Sequence, residues 1–127
     1  MESLIFFLGR VIFGGYFVIN AINHFTKTDR LVGYAESKGV RRARAAVLGA
    51  GLLILGGGLG VIFGVYVDLA ALALALFLLP VSYRMHAFWR ETGEARMIDQ
   101  INFNKNMALL GAALMMSYIS EPWPWSL

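Results

Sequence analysis

Four long apolar runs dominate this chain and leave it few ways to fold. They cover residues 3–23, 45–67, 69–89 and 101–120, and the second contains no charged residue. Each run has about the ~20 residues that a helix needs to cross ~30 Å of hydrocarbon. The sequence therefore predicts an all-α fold, an integral membrane four-helix bundle that forms a single domain over residues 1–127.

Composition excludes the main soluble alternatives. Hydrophobic residues make up 58% of the chain and charged residues 15%, against the ~25% charged residues of a typical soluble domain. The net charge of +3 does not indicate nucleic-acid binding, because the basic residues lie just outside the apolar runs. Cysteine is absent, so disulfides and thiolate metal sites are excluded. The first partner we expect is the lipid bilayer.

The distribution of basic residues predicts the orientation of the chain. Ten of the eleven Lys and Arg residues lie in residues 24–44 or 84–105, which connect the first to the second run and the third to the fourth. The positive-inside rule places both connections in the cytoplasm and both termini outside. We expect a multi-pass protein of the cell membrane. The start of the chain has no basic n-region, so no cleavable signal peptide is expected.

The first basic connection resembles a short interfacial helix over residues 28–38. Thr28 is placed to cap this helix, Asp29 lies in its first turn and Gly39 follows its last turn. Its apolar residues would rest on the bilayer while Lys38 and its other cations stay in water. The alternative is a basic loop that only sets the topology.

Glycines in the second run predict close helix packing. Gly56, Gly60 and Gly64 repeat at a spacing of four, a pattern that lines up a groove for another helix. A dinucleotide-binding loop would need G-x-G-x-x-G between a strand and a helix, which this sequence lacks.

A single charge, Arg10, lies within the outer part of the first run. Such a group must face the bundle or reach back to the surface. The default expectation is a structural ion pair with Asp68 or Glu121, and the alternative is a site for an anion or a quinone carbonyl. At the same end, Trp123 and Trp125 suit an interfacial aromatic belt.

A second polar zone lies at the cytoplasmic ends of the first, third and fourth runs. Its residues are Asn20, Asn23, His24, Tyr83, Arg84, His86, Asn102, Asn104, Lys105 and Asn106. Three interpretations remain open: ordinary residues at headgroup level, a pocket for a quinone head or an anion, or a b-type haem held by His24 and His86. We predict that Arg84, His86, Lys105 and Asn106 converge on one cavity.

Short motifs along nearly the whole chain resemble the DoxX family of membrane proteins. They are Gly9-Arg10-Val11, Asn23-His24-Phe25, the segments 34–40 and 50–57, Asp68-Leu69-Ala70-Ala71, His86-Ala87-Phe88-Trp89 and the segment 102–111. The resemblance implies a four-helix bundle and an association with quinone-linked redox assemblies. It also implies that Arg10, His86, Trp89, Lys105 and Asn106 occupy polar positions typical of the family.

Three positions depart from the family pattern: Ile54 replaces a frequent Glu, Asp68 a common basic residue and Arg41 a usual Pro. Loss of the intramembrane Glu argues against catalysis by this chain alone. We therefore expect an accessory subunit of a membrane redox assembly, with a purely structural subunit of a larger membrane complex as the alternative. The candidate cofactor-binding residues are Arg10, His24, Arg84, His86, Trp89, Lys105 and Asn106, with quinone as the candidate cofactor and no metal site.

Overall fold

The computed structural model describes residues 1–127 and contains helices but no strand. The five α-helices are α1 Glu2–Thr26, α2 Thr28–Ser37, α3 Ala43–Phe63, α4 Val67–Met85 and α5 Gly93–Met116. A 3₁₀ turn, Phe88–Arg90, leads into α5. Helix α3 packs between α1 and α4, while α5 packs on the far side of α4 and α2 on the start of α3. The all-α prediction is confirmed.

Three helices are long and apolar enough to cross a membrane: α1, α3, and α4 together with the turn that follows it. Helix α5 is also long, but Asp99, Asn102, Asn104 and Lys105 lie between its start and its middle turn. It begins at Gly93, eight residues before the predicted run, and it extends between the two ends of the bundle. This geometry favours a fourth crossing, which stays a prediction.

Two glycines let α1 and α3 approach closely. A Cβ added to Gly14 would lie 2.5 Å from the Gly58 carbonyl oxygen, and one added to Gly58 would lie 2.7 Å from the Gly14 carbonyl oxygen. Real Cβ atoms do not come so near a backbone oxygen, so the two helices can touch here only through glycine. Phe17 and Ile54 fill the core beside this contact and are fully buried.

The glycine groove predicted along α3 is correct only in part. Gly57 and Gly60 receive α4, since their added Cβ atoms would meet Leu74 and Ala70 at 2.6 and 2.7 Å. Gly56 has no atom within 4 Å of an added Cβ, so it is not part of the contact. The glycines therefore serve packing within the chain, on two faces of α3 rather than along one row.

The short helix predicted after the first run is present as α2. Thr28 is its first residue rather than its cap, because its hydroxyl donates back to the carbonyl oxygens of His24 and Phe25. Gly39 follows the helix with φ +80°, as expected for a residue that stops a helix in the left-handed region. Ala35 of α2 packs on the start of α3 through Ala43 and Val47.

Arg10 does not form the ion pair that we expected. The residue is 2% exposed, and its guanidinium group donates four hydrogen bonds, all to backbone carbonyl oxygens. The Nε and Nη2 atoms donate to Val61 and Ile62, at 3.2 and 2.7 Å. Other bonds go to Pro124 and Trp125 of the C-terminal segment. The last carbonyls of α3 have no partner within the helix and carry its negative dipole end, which is why a guanidinium fits there without a carboxylate.

The C-terminal segment folds over Arg10 instead of extending into a lipid interface. Trp123 is 2% exposed and its ring packs edge-on against Phe6, with centroids 5.0 Å apart. Its Nε1 donates to Ile119, and the Leu127 amide donates to Phe63 at the end of α3. The aromatic-belt prediction is therefore wrong for Trp123. Trp125 stays 59% exposed.

Candidate functional site

A cavity lies at the end of the bundle opposite Arg10. Its volume is about 510 Å³ and its walls come from all five helices. Apolar side chains of α3 and α4, such as Leu53 and Phe77, form the inner wall, while Leu31 and Tyr34 of α2 cover the mouth. A cleft with an apolar wall and a few convergent polar groups is the usual form of a small-molecule site.

Five of the seven predicted site residues line this cavity: His24, Arg84, His86, Lys105 and Asn106. The convergence predicted for the last four is therefore present in the structure. Two predicted residues lie elsewhere. Arg10 is enclosed at the opposite end of α3, and Trp89 packs outside the cavity against Tyr83 and Phe103, at ring distances of 5.8 and 5.7 Å.

A buried carboxylate, Asp99, joins three elements beside the cavity. It is 4% exposed, and its Oδ2 accepts a hydrogen bond from Lys38 Nζ at 2.8 Å. Its Oδ1 lies 3.3 Å from His86 Nδ1. Glu91 lies 3.7 Å from the same ammonium group. Asp99 therefore ties the end of α2 and the end of α4 to the start of α5.

This arrangement keeps Asp99 and Lys38 charged. Burial alone would raise the pKa of Asp99, but hydrogen bonds from Lys38 and His86 outweigh it and hold that pKa below its usual value. The hydrogen bond to Asp99 raises the pKa of Lys38 despite partial burial. Because both groups lie at the predicted cytoplasmic end, the pair is a fixed dipole beside the cavity across the neutral pH range.

His24 is the second imidazole on the cavity wall. Its Nδ1 lies 2.8 Å from the Asn20 carbonyl oxygen, and its ring meets Phe77 edge-on at 6.0 Å. The side-chain NH₂ group of Asn20 donates to the Tyr16 carbonyl oxygen at 2.8 Å, and the side-chain amide oxygen of Asn20 makes no hydrogen bond within the chain. His24 and His86, the alternative haem ligands, therefore line the same cavity.

Three further polar side chains complete the site. Asn106 is 5% exposed and makes no hydrogen bond within the chain, so its amide is available only to the cavity. Lys105 Nζ lies 5.5 Å from the centre of the Tyr16 ring and 3.5 Å from Asn102 Oδ1. Arg84 has no acidic partner. An amide and two unpaired cations thus provide donors for a ligand with acceptor oxygens.

The sequence alone did not point to Asp99 or to the role of Lys38. Asp99 lies two residues before the predicted fourth run, within the polar connection that precedes it. The available signal was its spacing: Asp99 and Asn106 are seven residues apart and share one face of α5. Both are in fact buried, whereas Asn104, between them, is exposed.

Comparison with protein families decides what kind of protein this is. The DoxX family model matches residues 5–87, about two thirds of the chain. The chain belongs to the DoxX family. The comparisons with curated proteins and with solved structures gave no match.

The matched region of this DoxX-family chain includes α1 to α4 and the cavity residues His24, Arg84 and His86. Ile54 is fully buried in the apolar core. No group of three or more His, Cys, Asp or Glu side chains is placed to hold a metal ion. The chemistry that the cavity offers is hydrogen bonding and proton acceptance at imidazole.

Proposed function

We propose that this protein is an accessory subunit of a membrane redox assembly that binds a quinone in the cavity. A quinone has a flat apolar ring, two acceptor oxygens and a long apolar tail. The apolar walls suit the ring and the tail, while Asn106 and Lys105 suit the oxygens. Within this proposal the chain holds the quinone, and a partner oxidoreductase performs the electron transfer.

The observation that carries the proposal is the Asn106 amide. Every fully buried side-chain N or O atom of the chain has a hydrogen-bond partner, so the unbonded amide atoms of Asn106 are not fully buried. Asn106 is 5% exposed, makes no hydrogen bond within the chain and lines the cavity, so its amide is free to bond a ligand or a water molecule there. The family resemblance supports the same ligand, since it implies association with quinone-linked assemblies.

Asn106→Leu should weaken quinone binding about tenfold, because a hydrogen bond to an acceptor oxygen is lost while side-chain volume is kept. Binding of a short-chain ubiquinone to protein in lipid nanodiscs would be measured by quenching of tryptophan fluorescence. Asn104→Leu is the matched control, because Asn104 lies on the same helix but is exposed and outside the cavity. Equal affinities for both variants and the parent chain would contradict a quinone site here.

A purely structural subunit is the second candidate, and a stripe on α1 favours it. Ile5, Ile12 and Ile19 repeat every seven residues and are 63%, 74% and 62% exposed. Leu8, Gly15 and Ile22 fill the intermediate positions, and Gly15 has open space around it. Such an a/d pattern fits another helix as well as lipid. Mass spectrometry after gentle detergent purification separates the candidates, since retained protein without quinone supports the structural role.

The sidedness of the chain belongs to the same proposal, with the α2 end of the bundle in the cytoplasm. Single Cys residues introduced at Lys38 and Arg96 should react with impermeant thiol reagents only from the cytoplasmic side. A Cys at Ser120 should react only from outside. The chain has no Cys of its own, so background labelling is absent. Opposite labelling at any one position would contradict the charge argument.

A further inference from the structure

The cavity contains the only two histidines of the chain, and each has one ring nitrogen already committed. His24 Nδ1 lies 2.8 Å from the Asn20 carbonyl oxygen. A carbonyl oxygen can only accept a hydrogen bond, so Nδ1 of His24 must carry the hydrogen. In a neutral imidazole the other nitrogen, Nε2, is then unprotonated and can only accept.

His86 is fixed in the same tautomer by a different group. Its Nδ1 faces Oδ1 of Asp99, and the charged carboxylate likewise only accepts. Lys38 already balances the Asp99 charge at 2.8 Å, and Lys105 and Arg84 line the same cavity. Burial of the ring is the main reason that the neutral imidazole is favoured, repulsion from Lys105 and Lys38 adds to it, and together they outweigh the opposite effect of Asp99. Neither Nε2 atom has a hydrogen-bond partner within the chain.

We infer that the cavity presents two unprotonated Nε2 atoms, recognises ligand hydroxyl groups and prefers a hydroquinone to the corresponding quinone. The inference rests on the proposed quinone site and specifies the redox form that it holds. A quinone carbonyl has no hydrogen to give to Nε2, whereas a hydroquinone hydroxyl donates one and still accepts from Asn106 or Lys105. His24 and His86 are the specificity residues, and Asp99 is the positioning residue of His86.

Asp99→Asn should reverse the tautomer of His86. The Lys38 ammonium group can only donate, so the amide oxygen of the new Asn turns towards Lys38. Its NH₂ group then faces His86 Nδ1, which must become the acceptor, and the hydrogen moves to Nε2. Glu91→Gln is the matched control, because Glu91 contacts the same Lys38 but not His86.

The first measurement needs no ligand. Long-range ¹H–¹⁵N NMR of protein labelled at His should show both rings as the Nδ1–H tautomer, with His24→Gln providing the assignment. Asp99→Asn should convert only His86 to the Nε2–H tautomer, and Glu91→Gln should convert neither. A charged or Nε2–H His86 in the parent protein would overturn the inference.

The second measurement compares the affinities of a short-chain ubiquinone and its reduced form in nanodiscs without oxygen. We expect the parent protein and Glu91→Gln to bind the reduced form about tenfold more tightly. This difference raises the midpoint potential of the bound two-electron couple by about 30 mV. Asp99→Asn should lower the preference, because His86 can then donate to a quinone carbonyl while His24 still accepts from a hydroxyl. If that variant does not fold, His86→Phe should lower the affinity for the reduced form alone.

The outcomes separate this inference from the proposed function. Equal or tighter binding of the oxidised form overturns the hydroxyl preference and leaves the quinone site intact. Binding of neither form overturns both. An intense Soret band in the purified protein would also overturn the inference, because a haem iron would then occupy the Nε2 atoms.

Discussion

Replacing Arg10 by Leu should lower the free energy of unfolding by about 3 kcal/mol, the largest effect that we expect from a single substitution. The guanidinium group supplies hydrogen bonds to four backbone carbonyl oxygens that have no other donor in the chain. Each buried carbonyl left unpaired costs about 1–3 kcal/mol, although such costs are not additive. Denaturant titration in mixed micelles would measure the loss, and limited proteolysis should show the C-terminal segment released.

Two controls distinguish geometry from charge in this prediction. Arg10→Lys keeps the charge but has one nitrogen where the guanidinium has three, so most of the stability should still be lost. Arg41→Leu removes an exposed Arg without hydrogen bonds and should change stability by less than ~0.5 kcal/mol. If Arg10→Leu kept the full stability, the four carbonyl oxygens would have to be hydrogen-bonded to water instead. The prediction that Arg10 stabilises the fold by bonding them would then be wrong.

Replacing Gly14 by Val should force α1 and α3 apart and destabilise the bundle by about 2–3 kcal/mol. The added Cβ would lie 2.5 Å from the Gly58 carbonyl oxygen and 2.7 Å from Ile62 Cγ1. Backbone atoms cannot yield as a flexible side chain does, so the helices themselves must move. The same titration in mixed micelles measures the effect.

The neighbouring glycine provides the matched control. Gly15 has no atom within 4 Å of an added Cβ, so Gly15→Val should leave the stability of the isolated chain nearly unchanged. Equal destabilisation by both substitutions would mean that the loss comes from helix propensity rather than from the contact with Gly58. Equal tolerance would mean that the bundle can expand at this contact without cost.

The fold was largely predictable because apolar length alone determines where helices form in a membrane protein. The runs at residues 3–23, 45–67 and 69–89 correspond to α1, α3 and α4. Their ends were less predictable, since Gly64 ends α3 with φ +68° before the apolar run is finished. The first residues of α5 lie outside the predicted run because most of them are polar and exposed. Only one side of the helix is buried there, so no continuous apolar run marks its start.

The Arg10 partners could not be read from the sequence. A charge pattern in a sequence can suggest only carboxylates as partners of Arg10. The actual partners are backbone carbonyl oxygens, and because every residue has a carbonyl oxygen, the sequence does not single out any of them. Val61 and Ile62 become acceptors only because α3 ends at Phe63, within the next two residues. Pro124 and Trp125 become acceptors only because the C-terminal segment turns back on the bundle. Only the three-dimensional arrangement identifies such partners.

The cavity was half predictable. The shared depth of Arg84, His86, Lys105 and Asn106 correctly indicated a common position at one end of the bundle. That argument depends only on distance along each helix. The contact of Lys38 with Asp99 joins residues 61 apart and depends on how the end of α2 is placed beside the start of α5. Depth along a helix says nothing about such a contact.

The Arg10 contacts also have a consequence for how the chain is made. Its carbonyl partners lie 51 and 52 residues later in α3, and 114 and 115 residues later in the C-terminal segment. Because a ribosome adds roughly 5–20 residues per second, the carbonyl partners in the C-terminal segment are synthesised on the order of ten seconds after Arg10. Ribosomes that stop before Pro124 would therefore release a chain with an incompletely bonded cation inside the bilayer. The bonding of Arg10 is therefore completed only after residues 124 and 125 have been made and have folded back on the bundle.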